Sequence, residues 1–199
     1  VYNIDGALNR NSTTRVNQDG PESYGFRGNA RNFDLNRDFI KSETLNAQSF
    51  AQIFRTWDPD VFVDTHVSNG ADYQYVMTLI PTQHNKLQLP LDNYLKQTML
   101  PVLYQEMENV GFPMTPYVNE IKQIPDEGIA GFLDLGRYST GYTAMFNTLG
   151  FMPETHMLKP YPQRVASTLA LLEIYIHYCA TRNSELISIR NEAKQYLKT

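Results

Sequence analysis

The stretch "DPDVFVDTHVSNGADYQY" at residues 58–75 carries the pattern that decides the fold. Its apolar run ends at Asp64, His66 follows two residues later, and a Ser-Asn-Gly turn comes next. A short apolar run bounded by turn residues is typical of a buried strand. Asp58 and Pro59 end the preceding helix, because the residue before a proline disfavours the helical conformation. The stretch therefore predicts a strand whose carboxyl end carries a histidine.

Helical and extended segments alternate on both sides of this strand. Residues 44–57 and 91–112 have apolar residues three and four apart, and Pro101 is expected to kink the second helix or split it. Residues 73–80 and 149–155 have the pattern of strands. The other predicted elements are a short strand in "VYNI" at residues 1–4, a short helix near 141–147, a long helix after Pro162 and an amphipathic helix over about 186–197.

The long helix after Pro162 contains the only cysteine of the chain, Cys179. We expect its apolar stripe to face the core; the stripe consists of Val165, Leu169, Leu172, Ile176 and Cys179. In that position Cys179 would be a packing residue rather than a nucleophile. A single cysteine also excludes an internal disulfide framework.

The order of these elements predicts an α/β fold with a mixed, largely parallel sheet flanked by helices. The 199 residues are enough for one domain with a sizeable core. In such sheets, sites form in the crevice beyond the carboxyl ends of the strands. His66 follows one predicted strand and Glu154 closes another, so we expect both side chains on the same rim.

Composition excludes several classes of partner. The net charge is −4, and the basic residues are scattered along the chain, which argues against nucleic acid. No apolar run approaches the ~20 residues that cross a membrane, so a membrane partner is not expected. The opening residues "VYNIDG" contain neither the basic nor the apolar region of a signal peptide.

The polar residues near the predicted rim have complementary chemistry. His66 can serve as a neutral metal ligand, and partial burial can raise the pKa of Glu154 into the range of a general base. Asn36 and Arg37 are adjacent, and an arginine fork beside an amide is a good receptor for a carboxylate. Arg15 could lie over an oxygen that becomes negative during a reaction.

Each of these residues also has a purely structural interpretation. His66 could be a hydrogen-bonded core residue, and Glu154 could be a surface charge at a strand end. Asn36–Arg37 could form a turn with an ion pair to a neighbouring aspartate. Tyr138 could simply stack in the core.

Six short motifs together resemble the zinc carboxypeptidases of the carboxypeptidase A type, in the same order and with similar gaps. The resemblance runs from about residue 3 to the last helix. The motifs are "NIDG" at 3–6, "TTRVNQ" at 13–18, "DLNRDF" at 34–39, "VDTHVSN" at 63–69, "RYSTGY" at 137–142 and "FMPETH" at 151–156.

The resemblance implies a catalytic role for three residues. His66 corresponds to the third zinc ligand of the family. Arg15, with Arg10 as a rival, corresponds to the arginine that polarises the scissile carbonyl and holds the oxyanion. Glu154 corresponds to the glutamate that deprotonates the zinc-bound water and passes the proton to the leaving amine.

The resemblance also implies a substrate site. Asn36 and Arg37 correspond to the pair that binds the terminal carboxylate of the substrate. Tyr138 resembles the mobile tyrosine that closes over the bound residue, and Tyr142 is a rival for that role. The implied partner is therefore a peptide or small amide with a free carboxylate, and the family favours a secreted or periplasmic location.

One part of the family pattern is absent from these residues. The first two zinc ligands of the family form a His-x-x-Glu pair upstream of the "NIDG" position, and none of the four histidines here is followed three residues later by glutamate. We therefore expect residues 1–199 to be the C-terminal portion of a single carboxypeptidase-like catalytic domain that binds one zinc ion. The alternatives are an inactive carboxylate-binding module and a deacylase of small N-acyl amino acids.

Overall fold

The computed structural model describes residues 1–13, 18–68, 72–120 and 124–196. Within these ranges the strands are β1 (Val61–Val63), β2 (His66–Ser68), β3 (Met77–Pro81), β4 (Met114–Pro116), β5 (Val118–Glu120), β6 (Ile129–Gly131) and β7 (Leu149–His156). The α-helices are α1 (Ile4–Leu8), α2 (Leu45–Trp57), α3 (Leu89–Tyr94), α4 (Leu100–Asn109), α5 (Ser139–Ala144), α6 (Tyr161–Thr181) and α7 (Asn183–Tyr196).

The main sheet is built around β7. β1 and β2 pair with one side of β7 in parallel, and β3 pairs with its other side antiparallel. β4 lies parallel beyond β3, while β5 and β6 form a separate two-stranded sheet. The predicted α/β fold with a mixed, largely parallel sheet flanked by helices is confirmed.

Helices cover both faces of this sheet. Val61 and Val63 pack against the larger core, whereas Phe62 between them packs into an aromatic cluster on the opposite face. This alternation follows from the two-residue period of a strand. β7 is apolar along most of its length because both of its faces are covered, and its Phe151 is fully buried.

The two long amphipathic patterns form helices as predicted. Thr44 caps α2, because its side-chain oxygen accepts a hydrogen bond from the backbone N–H of Ala47. The pattern over 91–112 is divided by one π-helical turn, Leu95–Met99, between α3 and α4. Pro101 is in the first turn of α4, directly after this π-helical turn, and prolines and π-turns are common causes of helix kinks.

Two predictions about the ends of the chain are wrong. The "VYNI" segment leads into α1 instead of forming a strand, because the Asn3 side chain accepts a hydrogen bond from the backbone N–H of Gly6 and caps a helical turn. In α6 most of the expected apolar stripe faces outward, because Val165, Leu169 and Ile176 are 48%, 57% and 70% exposed. Cys179, by contrast, is half-buried and packs against the core as predicted. The buried face carries Arg164, Ser167, Leu171, Tyr175 and Tyr178 instead.

The remaining predicted elements are present with shifted boundaries. The strand predicted over 73–80 begins at Met77, the helix predicted over 141–147 is α5, and the final amphipathic segment is α7. Within the described ranges, no helix combines the length and the apolar character that a membrane crossing requires.

Candidate functional site

β2 and β7 bring His66 and Glu154 together. The two residues are direct partners in the parallel ladder, so their side chains project from the same face of the sheet at neighbouring positions. Glu154 is half-buried, and its negative charge acts on the His66 ring. Both residues are therefore close together at the rim, as the strand order had suggested.

Asp64 fixes the orientation of the His66 ring. The Nε2 atom lies 2.9 Å from Oδ2 of Asp64, and an ionised carboxylate can only accept, so Nε2–H is the donor. This arrangement leaves Nδ1 as the ring nitrogen that could bind a metal. A carboxylate that accepts a hydrogen bond from a ligand histidine is common, because it holds the ring in place and raises its basicity.

The pKa of His66 reflects these neighbours. Burial lowers the pKa, but the hydrogen bond to Asp64 and the charges of Asp64 and Glu154 raise it above its ordinary value, with a smaller opposing effect of Arg27. Because only the neutral ring can bind a metal, metal affinity at this position should weaken as the pH falls.

A cavity of about 380 Å³ opens beside His66. Its lining includes Asp64, Asn36 and Arg27. Arg27 forms an ion pair with Asp34, with 2.9 Å between Nη2 and Oδ2. Arg27 lies with His66 in this cavity, and no sequence motif indicated it. The sequence feature that could have indicated Arg27 is the acidic residue Asp34, which follows it by seven residues.

The "NIDG" motif positions the backbone that carries Arg27. The Asn3 amide donates a hydrogen bond of 2.9 Å to the carbonyl oxygen of Arg27. The Gly6 carbonyl accepts a hydrogen bond from the N–H of Phe26, and a Cβ at Gly6 would collide with the Phe26 carbonyl oxygen. Only glycine fits this close approach of two backbone segments.

Asn36 lies in a single turn of 3-10 helix, Leu35–Arg37. Asp34 caps this turn by accepting a hydrogen bond from the Asn36 N–H. The side-chain Oδ1 of Asn36 is buried and has no hydrogen-bond partner among the described residues. A buried acceptor in this state is costly unless a donor group satisfies it.

Arg37 contacts Tyr138. The Arg37 guanidinium carbon is 4.7 Å from the centre of the Tyr138 ring, and that of Arg137 is 4.9 Å from it. Arg137 also donates a hydrogen bond of 3.0 Å to the Tyr138 hydroxyl. Two cations on one ring create a positive region that suits a carboxylate.

The two candidate tyrosines differ in their surroundings. Tyr142 packs among aromatic residues such as Phe39, Phe54 and Phe146. Burial raises the pKa of Tyr142. Tyr138 is also largely buried, but it is the one that contacts Arg37.

Two arginine candidates do not join the site, and the histidine two residues after Glu154 does not either. Arg15 lies outside the described residues, and Arg10 is exposed. His156 is fully buried and uses both ring nitrogens: Nδ1 accepts from the Leu158 N–H and Nε2 donates to Asp72. His156 therefore has no nitrogen left for a metal.

The donor set for a metal is incomplete in this part of the chain. Among the described residues there is no group of three or more His, Cys, Asp or Glu side chains that could hold a metal ion. His66 fits the role of one ligand because Asp64 orients it. Catalytic zinc sites use three protein ligands, so the described residues cannot form such a site by themselves.

The fold is that of known metallo-carboxypeptidases. The chain is similar to the metallo-carboxypeptidase of Pseudomonas aeruginosa in complex with (2-guanidinoethylmercapto)succinic acid, with a TM-score of 0.56 and 18% identity over 81% of this chain and 42% of that one. The Burkholderia cenocepacia metallo-carboxypeptidase gives a TM-score of 0.56 and 12% identity over 79% and 41%. The chain thus spans less than half the length of these structures. No protein-family model and no curated protein sequence matches it.

Proposed function

We propose that this chain is part of a zinc metallo-carboxypeptidase that hydrolyses the C-terminal amide bond of substrates with a free carboxylate. The observation that carries the proposal is the pairing of His66 with Glu154 across β2 and β7, with Asp64 holding the histidine ring. The similarity in fold to metallo-carboxypeptidases supports it. His66 would contribute one metal ligand, and residues outside the described ranges would contribute the others.

Glu154 would act as the general base and then as the general acid. When bound, zinc lowers the pKa of its water to roughly 7 and polarises the carbonyl oxygen. Glu154 is half-buried and lies next to His66 across the β2–β7 ladder. It would accept the proton of this water and deliver it to the nitrogen of the leaving amine.

Arg27 is our candidate for the residue that stabilises the oxyanion. It lines the same cavity as His66, and its charge already affects the pKa of that histidine. A guanidinium close to the developing negative oxygen would lower the barrier electrostatically. The sequence resemblance assigned this role to Arg15, and Arg15 lies outside the described residues.

Asn36, Arg37 and Tyr138 would bind the carboxylate of the substrate. The two guanidiniums on the Tyr138 ring support this assignment, and the side-chain NH₂ group of Asn36 could donate a further hydrogen bond to the carboxylate. The side chain that the enzyme prefers next to this carboxylate is a separate question, which a substrate panel would answer.

A carboxylate-binding module without catalysis is the second candidate. The described residues lack a complete set of metal ligands, which favours this candidate. Asn36, Arg37 and Tyr138 could still bind a carboxylate in such a module. A deacylase of small N-acyl amino acids would use the same residues, so it differs from the first proposal mainly in its substrate.

The test compares three substrates with the complete protein, with zinc and after chelation. We expect hydrolysis of an N-blocked dipeptide with a free C-terminus. The corresponding C-terminal amide should react at least about 30-fold more slowly, because an unpaired buried charge costs roughly 2–5 kcal/mol. Equal rates on the acid and the amide would exclude an exopeptidase. Hydrolysis of an N-acyl amino acid alone would favour the deacylase, and binding without turnover would favour the module.

A second measurement uses residues 1–199 alone. We expect this chain to retain less than stoichiometric zinc after dialysis and to show no carboxypeptidase activity with added zinc, since one imidazole holds zinc weakly. Stoichiometric zinc that is lost in His66→Ala would mean that unsuspected ligands lie within the chain.

A further inference from the structure

A second cavity lies beside the last residues of β3. Its volume is about 240 Å³, and among the described residues none lines both this cavity and the one beside His66. Most of its wall is apolar, and that part includes Ile80, Leu95, Leu100 and Phe132. Small-molecule sites commonly combine such a wall with a few polar groups.

Three polar side chains in the wall of this cavity form a connected group. The Nδ1 atom of His84 lies 3.0 Å from Oδ2 of Asp92, and its Nε2 atom lies 2.6 Å from Nζ of Lys96. Because an ammonium group can only donate, Nε2 is the acceptor, and the proton of a neutral His84 is on Nδ1. Lys96 also pairs with Asp92 at 3.4 Å. The group of Asp92, Lys96 and neutral His84 therefore carries no net charge.

The cavity wall contains one available donor and one available acceptor. A lysine ammonium has three N–H donors, and the described contacts of Lys96 with His84 and Asp92 use two of them. Gln83 also lines the cavity, and its Oε1 atom is buried without a hydrogen-bond partner among the described residues. A buried acceptor of this kind is costly unless a donor satisfies it.

A buried ion pair holds this part of the wall in place. Lys86 lies 2.6 Å from Oδ1 of Asp134, and it also donates to the Asp134 carbonyl oxygen. The other carboxylate oxygen of Asp134 accepts a hydrogen bond of 3.2 Å from the Gln83 N–H. The Asp134 side chain is fully buried, so the backbone that carries Gln83 is fixed before any ligand binds.

We propose that this cavity binds a free apolar α-amino acid. Its carboxylate accepts a hydrogen bond from Lys96, its ammonium donates to Oε1 of Gln83, and its side chain lies against the apolar wall. A zwitterion has no net charge, so it suits a polar group that is itself neutral, whereas a lone carboxylate or amine would bring an unbalanced charge. A cavity of about 150 Å³ holds benzene. The cavity of about 240 Å³ therefore has room for a ring or a branched chain.

The experiment titrates the complete protein with three ligands that share one apolar body, by isothermal titration calorimetry. Phenylalanine has both polar groups, hydrocinnamate lacks the ammonium, and phenethylamine lacks the carboxylate. We expect a Kd of about 1 mM or lower for phenylalanine. Each analogue should bind at least about tenfold more weakly, because it loses one charge-assisted hydrogen bond. None of the three ligands contains an amide bond, so the result does not depend on the proposed function.

Two variants and a matched control locate the binding site. Lys96→Met removes the donor, so it should weaken phenylalanine binding at least about tenfold and leave phenethylamine binding unchanged. Gln83→Met removes the acceptor, so it should weaken phenylalanine binding and leave hydrocinnamate binding unchanged. Lys194→Met is the control, because Lys194 is 37% exposed and pairs with Asp58 at 2.7 Å, much as the 35% exposed Lys96 pairs with its own aspartate. Lys194 lies on α7 and does not line the cavity.

Three outcomes would overturn the proposal. Equal affinity for phenylalanine and hydrocinnamate would make the cavity a receptor for carboxylates in general. Phenylalanine binding that Arg37→Met abolishes and Lys96→Met leaves unchanged would place the amino acid at the candidate functional site. Failure of all three ligands to bind would mean that the cavity takes no such molecule. Asp92 keeps its hydrogen bond to His84 in Lys96→Met, so this variant should remain folded, and its melting temperature checks that.

Discussion

The two sides of β7 differ in how completely they are covered. On the β3 side, Met77 and Leu79 are at most 1% exposed and pack with the buried residues of α4. On the β1 side, the strand residues are only half-buried, although they pair with the same central strand. We call these the closed side and the open side. The candidate site belongs to the open side, and the closed side provides a rigid support for it.

This difference shows that the burial of a strand depends on the elements beside it as well as on its own residues. β1 is as apolar as β3, but its outer edge and the helix faces beside it remain exposed. Chemistry at such an edge depends on what covers it, because catalysis benefits from the exclusion of water. Four predictions test this contrast between the two sides.

The largest expected effect concerns Glu154 in β7, the strand that separates the open side from the closed side. In the complete protein, Glu154→Gln should lower kcat by at least about 100-fold and leave substrate binding largely unchanged, because an amide cannot accept the proton of the water. Thr78→Val is the control on the closed side. Thr78 donates a hydrogen bond to the backbone oxygen of Glu154, so its loss should affect stability more than turnover. A Glu154→Gln enzyme with more than a few percent of the wild-type kcat would mean that another base acts.

The second effect compares matched leucines on the two sides. Leu103 is fully buried in α4, whereas Leu169 is 57% exposed in α6. In residues 1–199, Leu103→Ala should lower the free energy of unfolding by about 2–5 kcal/mol, and Leu169→Ala should change it by less than about 0.5 kcal/mol. Urea unfolding measures both. A large loss from Leu169→Ala in the isolated chain would show that this side chain is already covered.

The third effect tests how α1 supports the Arg27 loop on the open side. A Cβ at Gly6 would collide with the Phe26 carbonyl oxygen, so Gly6→Ala should destabilise the fold by roughly 1–3 kcal/mol. Gly131 is the control, because its Cβ would meet nothing within 4 Å. Thermal unfolding compares the two variants. Equal melting temperatures would mean that α1 does not hold the loop rigidly.

The smallest expected effect is the contribution of Asp38, in the loop after Asn36, to the pH dependence of stability. Burial raises the pKa of Asp38, but hydrogen bonds from Thr44 and Glu43 outweigh this and hold the pKa below its usual value. A carboxylate with a lowered folded-state pKa stabilises the fold above its unfolded pKa of about 3.9. That contribution should disappear as the pH falls below this value. Asp38→Asn should remove this part of the acid dependence in urea titrations, and an unchanged titration would contradict it.

Sequence reasoning succeeded where a pattern was local. The helix 44–57, the strand before His66 and the rim position of Glu154 follow from apolar spacing, prolines and caps within a few residues. It failed for α6, because that helix has apolar residues on two faces and the period does not say which face meets the sheet. It also missed Arg27, whose role depends on a cavity formed by distant segments.

The sequence by itself determined the α/β class, the order of most elements and the expectation that His66 and Glu154 lie on one rim, because these depend on short-range periodicity and backbone preferences. The tertiary structure decided which face of α6 is buried, which of Tyr138 and Tyr142 contacts Arg37, and that Arg27 shares a cavity with His66. These facts depend on packing between residues far apart in the chain. Short-range sequence patterns therefore do not reveal them.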